Sequence, residues 1–218
     1  MVNQALAKLM NAYPLTERDP GEFSKIKYGP MRFTIRWFTG EGLGNVSSME
    51  VKGLMGLFTM EMLVINPIER DLPLLSFDYM TVFTKKTLLV ELYDTFIGTG
   101  CDLNALMSIK QKLCHLPDHD LGKHWYDDMK LSPSFAKRAG KKHQSDFENA
   151  FLTFVDEYLE CFKTAELCPD RDKKRAKSAE YVNGLLKNGG PSTNIFLKML
   201  GPDRTRTLFT KIIFGTEV

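Results

Sequence analysis

Two apolar runs in the middle of the chain each carry one carboxylate. In "MEMLVINPIERDLPLLSFDYM" (60–80) these are Glu61 and Asp78, residue types that strand interiors disfavour. A connecting loop over 66–73 centred between Glu69 and Arg70 sets Glu61 opposite Asp78, with Cβ atoms about 5 Å apart. The same parity adds Thr59 and Ser76 and, through a tight turn at 84–87, Thr87, Glu91 and Tyr93. Phe58, Met60, Met62, Val64, Phe77, Tyr79, Phe83, Leu88, Val90 and Leu92 take the other face. Two facing carboxylates in an enclosed site do not both ionise cheaply. One pKa rises and leaves a protonated acid near neutral pH, which is a proton donor for a bound substrate. An exposed polar sheet face is the alternative, and it needs no function.

The remaining chemistry-bearing stretches are weaker. "CHLPDHDLGKHWYDD" (114–128) holds His115, His119 and His124 beside Asp118 and Asp120, but the spacing matches no standard zinc pattern. Pro and Gly make it a polar loop, and no metal site is expected. No phosphate-binding glycine motif or nucleophile elbow occurs. "FTGEGLG" (38–44) reads as a hairpin turn. The eleven methionines suit an adaptable apolar lining, with core filling as the default.

The elements that must position these residues come in two kinds. "MRFTIRWF" (31–38) alternates strictly, which is a strand. Further strand-like runs cover 49–65, 74–84 and 87–93, joined by short loops as antiparallel hairpins. Helical spacing begins in "NQALAKLMNAY" near the start, "DLNALMSIKQKL" (102–113) and "DFENAFLTFVDEYLECF" (146–162). Ser145 and Glu148 offer a capping box for the last of these, and two or three more helices follow between 172 and 214. Strands followed by helices predict an α+β fold: a three-layer α/β/α sandwich with a central antiparallel sheet flanked by helices, over one domain spanning 1–218. Enough apolar helix surface is available to cover both sides of the sheet and so enclose the acidic face.

Composition narrows the class. With 43% hydrophobic and 26% charged residues in 218, the chain is of ordinary globular make-up. No apolar run approaches the ~20 residues of a bilayer span, and the first twenty residues lack a signal-peptide pattern. Cys101, Cys114, Cys161 and Cys168 are widely spaced, which fits free thiols in a reducing compartment. A net charge of +2 does not argue for nucleic acid. Neither a nucleic-acid nor a membrane partner is expected. The C-terminal quarter is locally basic, through "RDKKRAK" (171–177), Lys187, Lys198, Arg204, Arg206 and Lys211. That is either a solvated helix face or a docking patch for an acidic partner.

The run "EMLVINPIERDLPLLSFDYMTVFTKKTLLVEL" resembles the central hairpins of the ferredoxin-dependent bilin reductases, in which a strand bearing an aspartate follows a proline-containing loop. "LP…W…LSPSFAKR" (116–138) is similar to that family's Trp and Ser-Pro segment. "YVNGLLKNGGPSTNIFLKMLGPDRTRTLFTKIIF" is similar to its closing helices. The resemblance covers roughly residues 30–216. It implies an α/β/α sandwich that binds a linear tetrapyrrole, biliverdin or a related bilin, between the sheet and the C-terminal helices. It implies no tightly bound cofactor: reduced ferredoxin supplies single electrons and protein acids supply protons through bilin radicals.

On this resemblance Asp78 is the proton donor and Glu61 its partner, at a position that is histidine in one branch. Glu50 lies near a further acidic position. Thr87 matches a hydroxyl near a propionate and Arg138 an arginine that pairs with one. Arg32, Arg36, Ser76 and Asn188 complete the candidate substrate contacts. Lys173, Lys174, Arg175, Lys177 and Lys187 become the candidate docking cations for acidic ferredoxin. Several family members carry an aspartate between the final helices where this chain has Gly189 and Gly190, so one two-electron reduction fits better than a four-electron sequence. A monomer in the cytoplasm is expected, or in a plastid stroma after removal of a transit peptide. The alternatives are a non-catalytic bilin carrier, a reductase of a chlorophyll-derived open-chain tetrapyrrole (red chlorophyll catabolite reductase shares the general fold) and, least, a metal-dependent hydrolase built on the histidine loop.

Overall fold

A computed structural model describes residues 1–217. The chain opens with α1 (Val2–Ala12) and β1 (Leu15–Arg18), followed by β2 (Lys25–Tyr28), β3 (Met31–Gly40), β4 (Gly44–Gly53), β5 (Phe58–Asn66), β6 (Leu74–Val82) and β7 (Lys85–Tyr93). Then come α2 (Asn104–Lys112), β8 (Phe135–Gly140), α3 (Gln144–Thr164), α4 (Arg171–Asn188), α5 (Pro191–Leu200) and α6 (Pro202–Thr207), which runs on as a π-helical turn over Leu208–Ile213. The sheet is antiparallel throughout, in the order β1-β3-β4-β5-β6-β7-β8, with β2 paired to β3 beyond β1.

Alternation decides which layer each strand face meets. Phe77, Tyr79, Leu88, Val90 and Leu92 project to one side, where α1, α2 and α3 cover them; Phe77 packs edge-on against Phe151 at 4.4 Å. Phe33, Ile35, Met49, Val51, Met60 and Met62 project to the other, beneath α4, α5 and the π turn. The α+β sandwich expected from the element order is therefore present, with both sheet faces covered. The run 49–65 is not one strand. It is broken at residues 54–57, where β4 turns into β5. The capping box is not formed either: His143 is the N-cap of α3, and Glu148 instead accepts from the Gln144 amide at 2.7 Å.

The β5–β6 register is the correction with most consequence. Met62, not Glu61, lies opposite Asp78, and Glu61 pairs with Tyr79. The loop is centred on Arg70 because a distant segment holds it there. Arg70 donates to the Ala165 carbonyl at 2.6 Å, the Asp71 amide to the Glu166 carbonyl at 3.0 Å, and the Cys168 amide to the Glu69 carbonyl at 2.8 Å. A shift of one residue moves every side chain of a strand to the opposite face. Thr59 and Glu61 thus leave the Asp78 face, and Met60 and Met62 join it.

Candidate functional site

A cavity of about 300 Å³ lies between the sheet and the C-terminal helices, at the lower end of the range for small-molecule sites. Its floor is the Asp78 face of β4–β7: Met49, Met60, Met62 and Met80 with Ser76, Asp78 and Glu91. Its walls come from the loop before β8 (His124, Tyr126), from α4 (Tyr181, Leu185), from the start of α5 (Gly190–Thr193, Phe196) and from the π turn and the residue after it (Phe209, Ile213, Phe214). Four methionines thus line the cavity, where core filling is the default expectation from composition.

Asp78 and Glu91 are the two carboxylates among the described lining residues of this floor, and Asp78 is the unpartnered one. Its Oδ1 is out of solvent and has no hydrogen-bond partner. Burial, reinforced by the nearby charge of Glu91, pushes its pKa from 3.8 up to about 7. Asp78 therefore keeps its proton well above the usual carboxylate range and loses it only near neutrality. Glu91 is placed differently: its Oε2 accepts from the Tyr93 hydroxyl at 2.6 Å and its Oε1 lies 2.7 Å from the Lys130 ammonium. Lys130 also reaches Asp127 at 2.9 Å and sits 4.9 Å over the Tyr126 ring. Burial pulls the Lys130 pKa down, but the carboxylates of Glu91 and Asp127 together more than offset it, so it is raised overall. Burial also drives the phenols of Tyr93 and Tyr181 well above their ordinary range, so both serve as neutral hydroxyls.

His124 was missed as a site residue. Its ring stacks on Tyr126 at 5.0 Å, borders the cavity, and leaves its buried Nδ1 without a hydrogen-bond partner. No periodicity marks it, because it lies in a loop. The neighbouring Trp125 places that loop: its Nε1 donates to the Gly189 carbonyl at 2.9 Å, and its ring occupies the space above Gly184, where a Cβ would come within 2.1 Å.

The other expected residues divide sharply. Ser76 lines the cavity. Thr87 is buried on the Asp78 face, and Arg138 is its exposed partner on the edge strand β8, but neither lines the cavity. Glu61, Glu50, Arg32 and Arg36 project from the opposite face of the sheet. Glu61 lies 2.9 Å from the Met1 ammonium and accepts from the Val2 amide at 2.7 Å, so it neutralises the N-terminal end of α1. Glu50 accepts from Asn3 at 2.9 Å, and Arg36 forks onto Glu17 at 2.8 and 2.9 Å. Arg32 is exposed. None of these four touches the cavity. Asn188 is exposed at the end of α4, and Gly190 borders the cavity in its place.

The basic patch is also corrected in part. Lys174 is fully buried, bonded to Asp71, Thr95 and the Leu72 carbonyl, and is structural. Lys177 reaches Asp94 at 3.0 Å, and Lys173 lies 3.4 Å from Asp170. Arg175 is half-buried and Lys187 exposed. The four cysteines are free thiols.

An antiparallel sheet between two helical layers, with an acid-floored cavity under the C-terminal helices, is a fold shared with a solved structure. Phytochromobilin synthase from tomato, solved in complex with biliverdin, superposes with a TM-score of 0.79 at 15% sequence identity, over 99% of this chain and 82% of that one. No protein-family model matches the sequence, and no curated protein does. The likeness establishes the fold.

Proposed function

We propose that the protein reduces a linear tetrapyrrole, biliverdin or a related bilin, using single electrons from reduced ferredoxin and protons from its own side chains. The observation that carries this reading is Asp78, a buried carboxyl group without a hydrogen-bond partner on the floor of an apolar cavity, where burial pushes its pKa up to about 7. The tomato enzyme of the same fold was solved with biliverdin bound. Reducing one double bond consumes two electrons and two protons. The electrons come from ferredoxin, and Asp78 delivers one proton to the bound pigment. The His124 imidazole, facing the same cavity, delivers the second. The Glu91–Lys130–Asp127 chain links this floor to the surface and returns protons to the site. Tyr181, Tyr126 and Phe196 supply apolar area and exclude water, while Arg138 and Thr87 receive a carboxylate side chain at the open edge. The α4 cations Lys173, Arg175 and Lys187 face the acidic donor.

The carrier reading makes one contrary demand. A carrier gains nothing from an acid poised to release a proton into its ligand, and burying one has a stability cost. An anaerobic absorbance time course with biliverdin, reduced ferredoxin and a regenerating system separates the two. A red-shifted complex that converts to a shorter-wavelength product supports the reductase. A complex that persists unchanged while ferredoxin stays reduced refutes it.

A further inference from the structure

One end of the sheet carries three hairpin tips in a row: β2–β3 at residues 29–30, β4–β5 at 54–57 and β6–β7 at 83–84. The last two touch, through the Phe83 amide donating to the Leu57 carbonyl at 2.8 Å. Their outermost residues are large and apolar. Leu54, Leu57 and Phe83 are 49%, 47% and 64% exposed, and Met55 is entirely so. Among the described residues, Leu54, Met55 and Phe83 are also the non-glycine residues with positive φ, at 50°, 53° and 55°. Glycine or asparagine occupies such positions at least expense. Here bulky apolar side chains sit in the left-handed region without being buried in return. Strain with no packing gain points to a role outside the folded chain.

The charge around these tips is of one sign. Residues 26–32, 51–59, 80–87 and 139–142 contain Lys27, Arg32, Lys52, Lys85, Lys86, Lys141 and Lys142 and not one carboxylate. Among the described residues, only Lys52 of these seven lies near an acid, 3.9 Å from Glu50. The cations stand along the strands and just behind the tips, so apolar groups come first and positive charge second. That order of depth matches an acyl layer beneath anionic headgroups.

We propose that this end of the sheet docks peripherally on an anionic lipid surface, with Leu54, Met55, Leu57 and Phe83 entering the headgroup boundary and the lysines and Arg32 meeting the lipid charge. The expectation of no membrane partner rested on the absence of a spanning run, which says nothing about peripheral contact. The tips adjoin the cavity: Phe58 and Met60, directly after the β4–β5 tip, line it, as does the exposed Ile195. A docked protein would hold its cavity close to the lipid, where amphiphilic ligands partition.

The test is co-sedimentation of the full chain with vesicles of phosphatidylcholine alone and with phosphatidylserine added, alongside an environment-sensitive fluorophore on a Met55→Cys variant that also carries Cys101→Ser and Cys114→Ser, the free thiols open to the label. Binding is expected only to the anionic vesicles, with a blue-shifted label. Lys52→Gln/Lys85→Gln/Lys86→Gln should weaken it on the order of 100-fold. Leu54→Ser/Met55→Ser/Phe83→Ser should weaken it roughly tenfold or more while far-UV circular dichroism stays unchanged. Three results each overturn the proposal: no binding to anionic vesicles, a label that stays in water, or binding that needs the lysines but survives the apolar variant. The last would mark a purely electrostatic face, such as one for an acidic protein. None of these readouts involves pigment, so they stand apart from the reductase reading.

Discussion

Replacing Asp78 by Asn should do two opposite things, and both follow from the same burial. Lifting the carboxyl from 3.8 to about 7 corresponds to about 4 kcal/mol at 1.36 kcal/mol per pH unit. The sign follows from proton counting. Between pH 4 and 7 the folded chain holds a proton that the unfolded chain has lost, so Asp78 makes stability fall as pH rises through that window. Above about 7 the loss is complete. Asn carries no titrating proton. Asp78→Asn should therefore match the parent near pH 4 and exceed it at pH 8 by roughly 2–4 kcal/mol, allowing for partial relaxation around the ionised group. Urea denaturation at closely spaced pH values measures this directly. In the reductase assay the same variant should bind biliverdin but lose about 10²–10⁴-fold in turnover, the usual contribution of a positioned general acid. A parent whose stability is flat from pH 4 to 8, or a variant no more stable at pH 8, would refute the buried-acid reasoning. Parent-like turnover would remove Asp78 as the donor.

Glu61→Gln should leave turnover unchanged, because Glu61 lies on the far face of the sheet, and should cost about 0.5–1 kcal/mol through the weakened end of α1, read from the urea midpoint. Lys174→Met should destabilise by about 3–5 kcal/mol, since it leaves Asp71 buried without its cation; adding Asp71→Asn should recover part of that loss in the same denaturation experiment. Glu91→Gln should move the alkaline limb of the turnover profile to lower pH, because its charge helps raise the Asp78 pKa. The displacement should be smaller than the full rise, since burial is the larger cause. Gly184→Ala should push Trp125 off α4 and with it the loop bearing His124; loss of pigment affinity without loss of α-helical circular dichroism is the expected result.

Much of this architecture is legible in the order of residues. Strict alternation in 31–38, strand-like runs over 74–84 and 87–93, apolar spacing in 146–162 and a tight turn between the two runs are local properties, and local sterics suffice to express them, although the turn itself falls at residues 83–84 and not at 84–87. They place Ser76, Asp78, Thr87 and Glu91 on one face, and that placement stands. The β5–β6 loop is different. Whether it centres half a residue one way or the other has no local signature, and the outcome is set by Arg70 and Asp71 bonding to Ala165 and Glu166, about a hundred residues onward. That one contact separates Glu61 from Asp78, assigns one carboxylate to a helix end and the other to the cavity, and carries Glu50, Arg32 and Arg36 to the outer side. His124 likewise owes its position to Trp125 docking on Gly184, a meeting of a loop and a helix that neither sequence announces. The residue types able to hold and release a proton are thus written in the chain. Which of them share one dry pocket is decided only by long-range contacts, because a strand's two faces differ by a single residue of register.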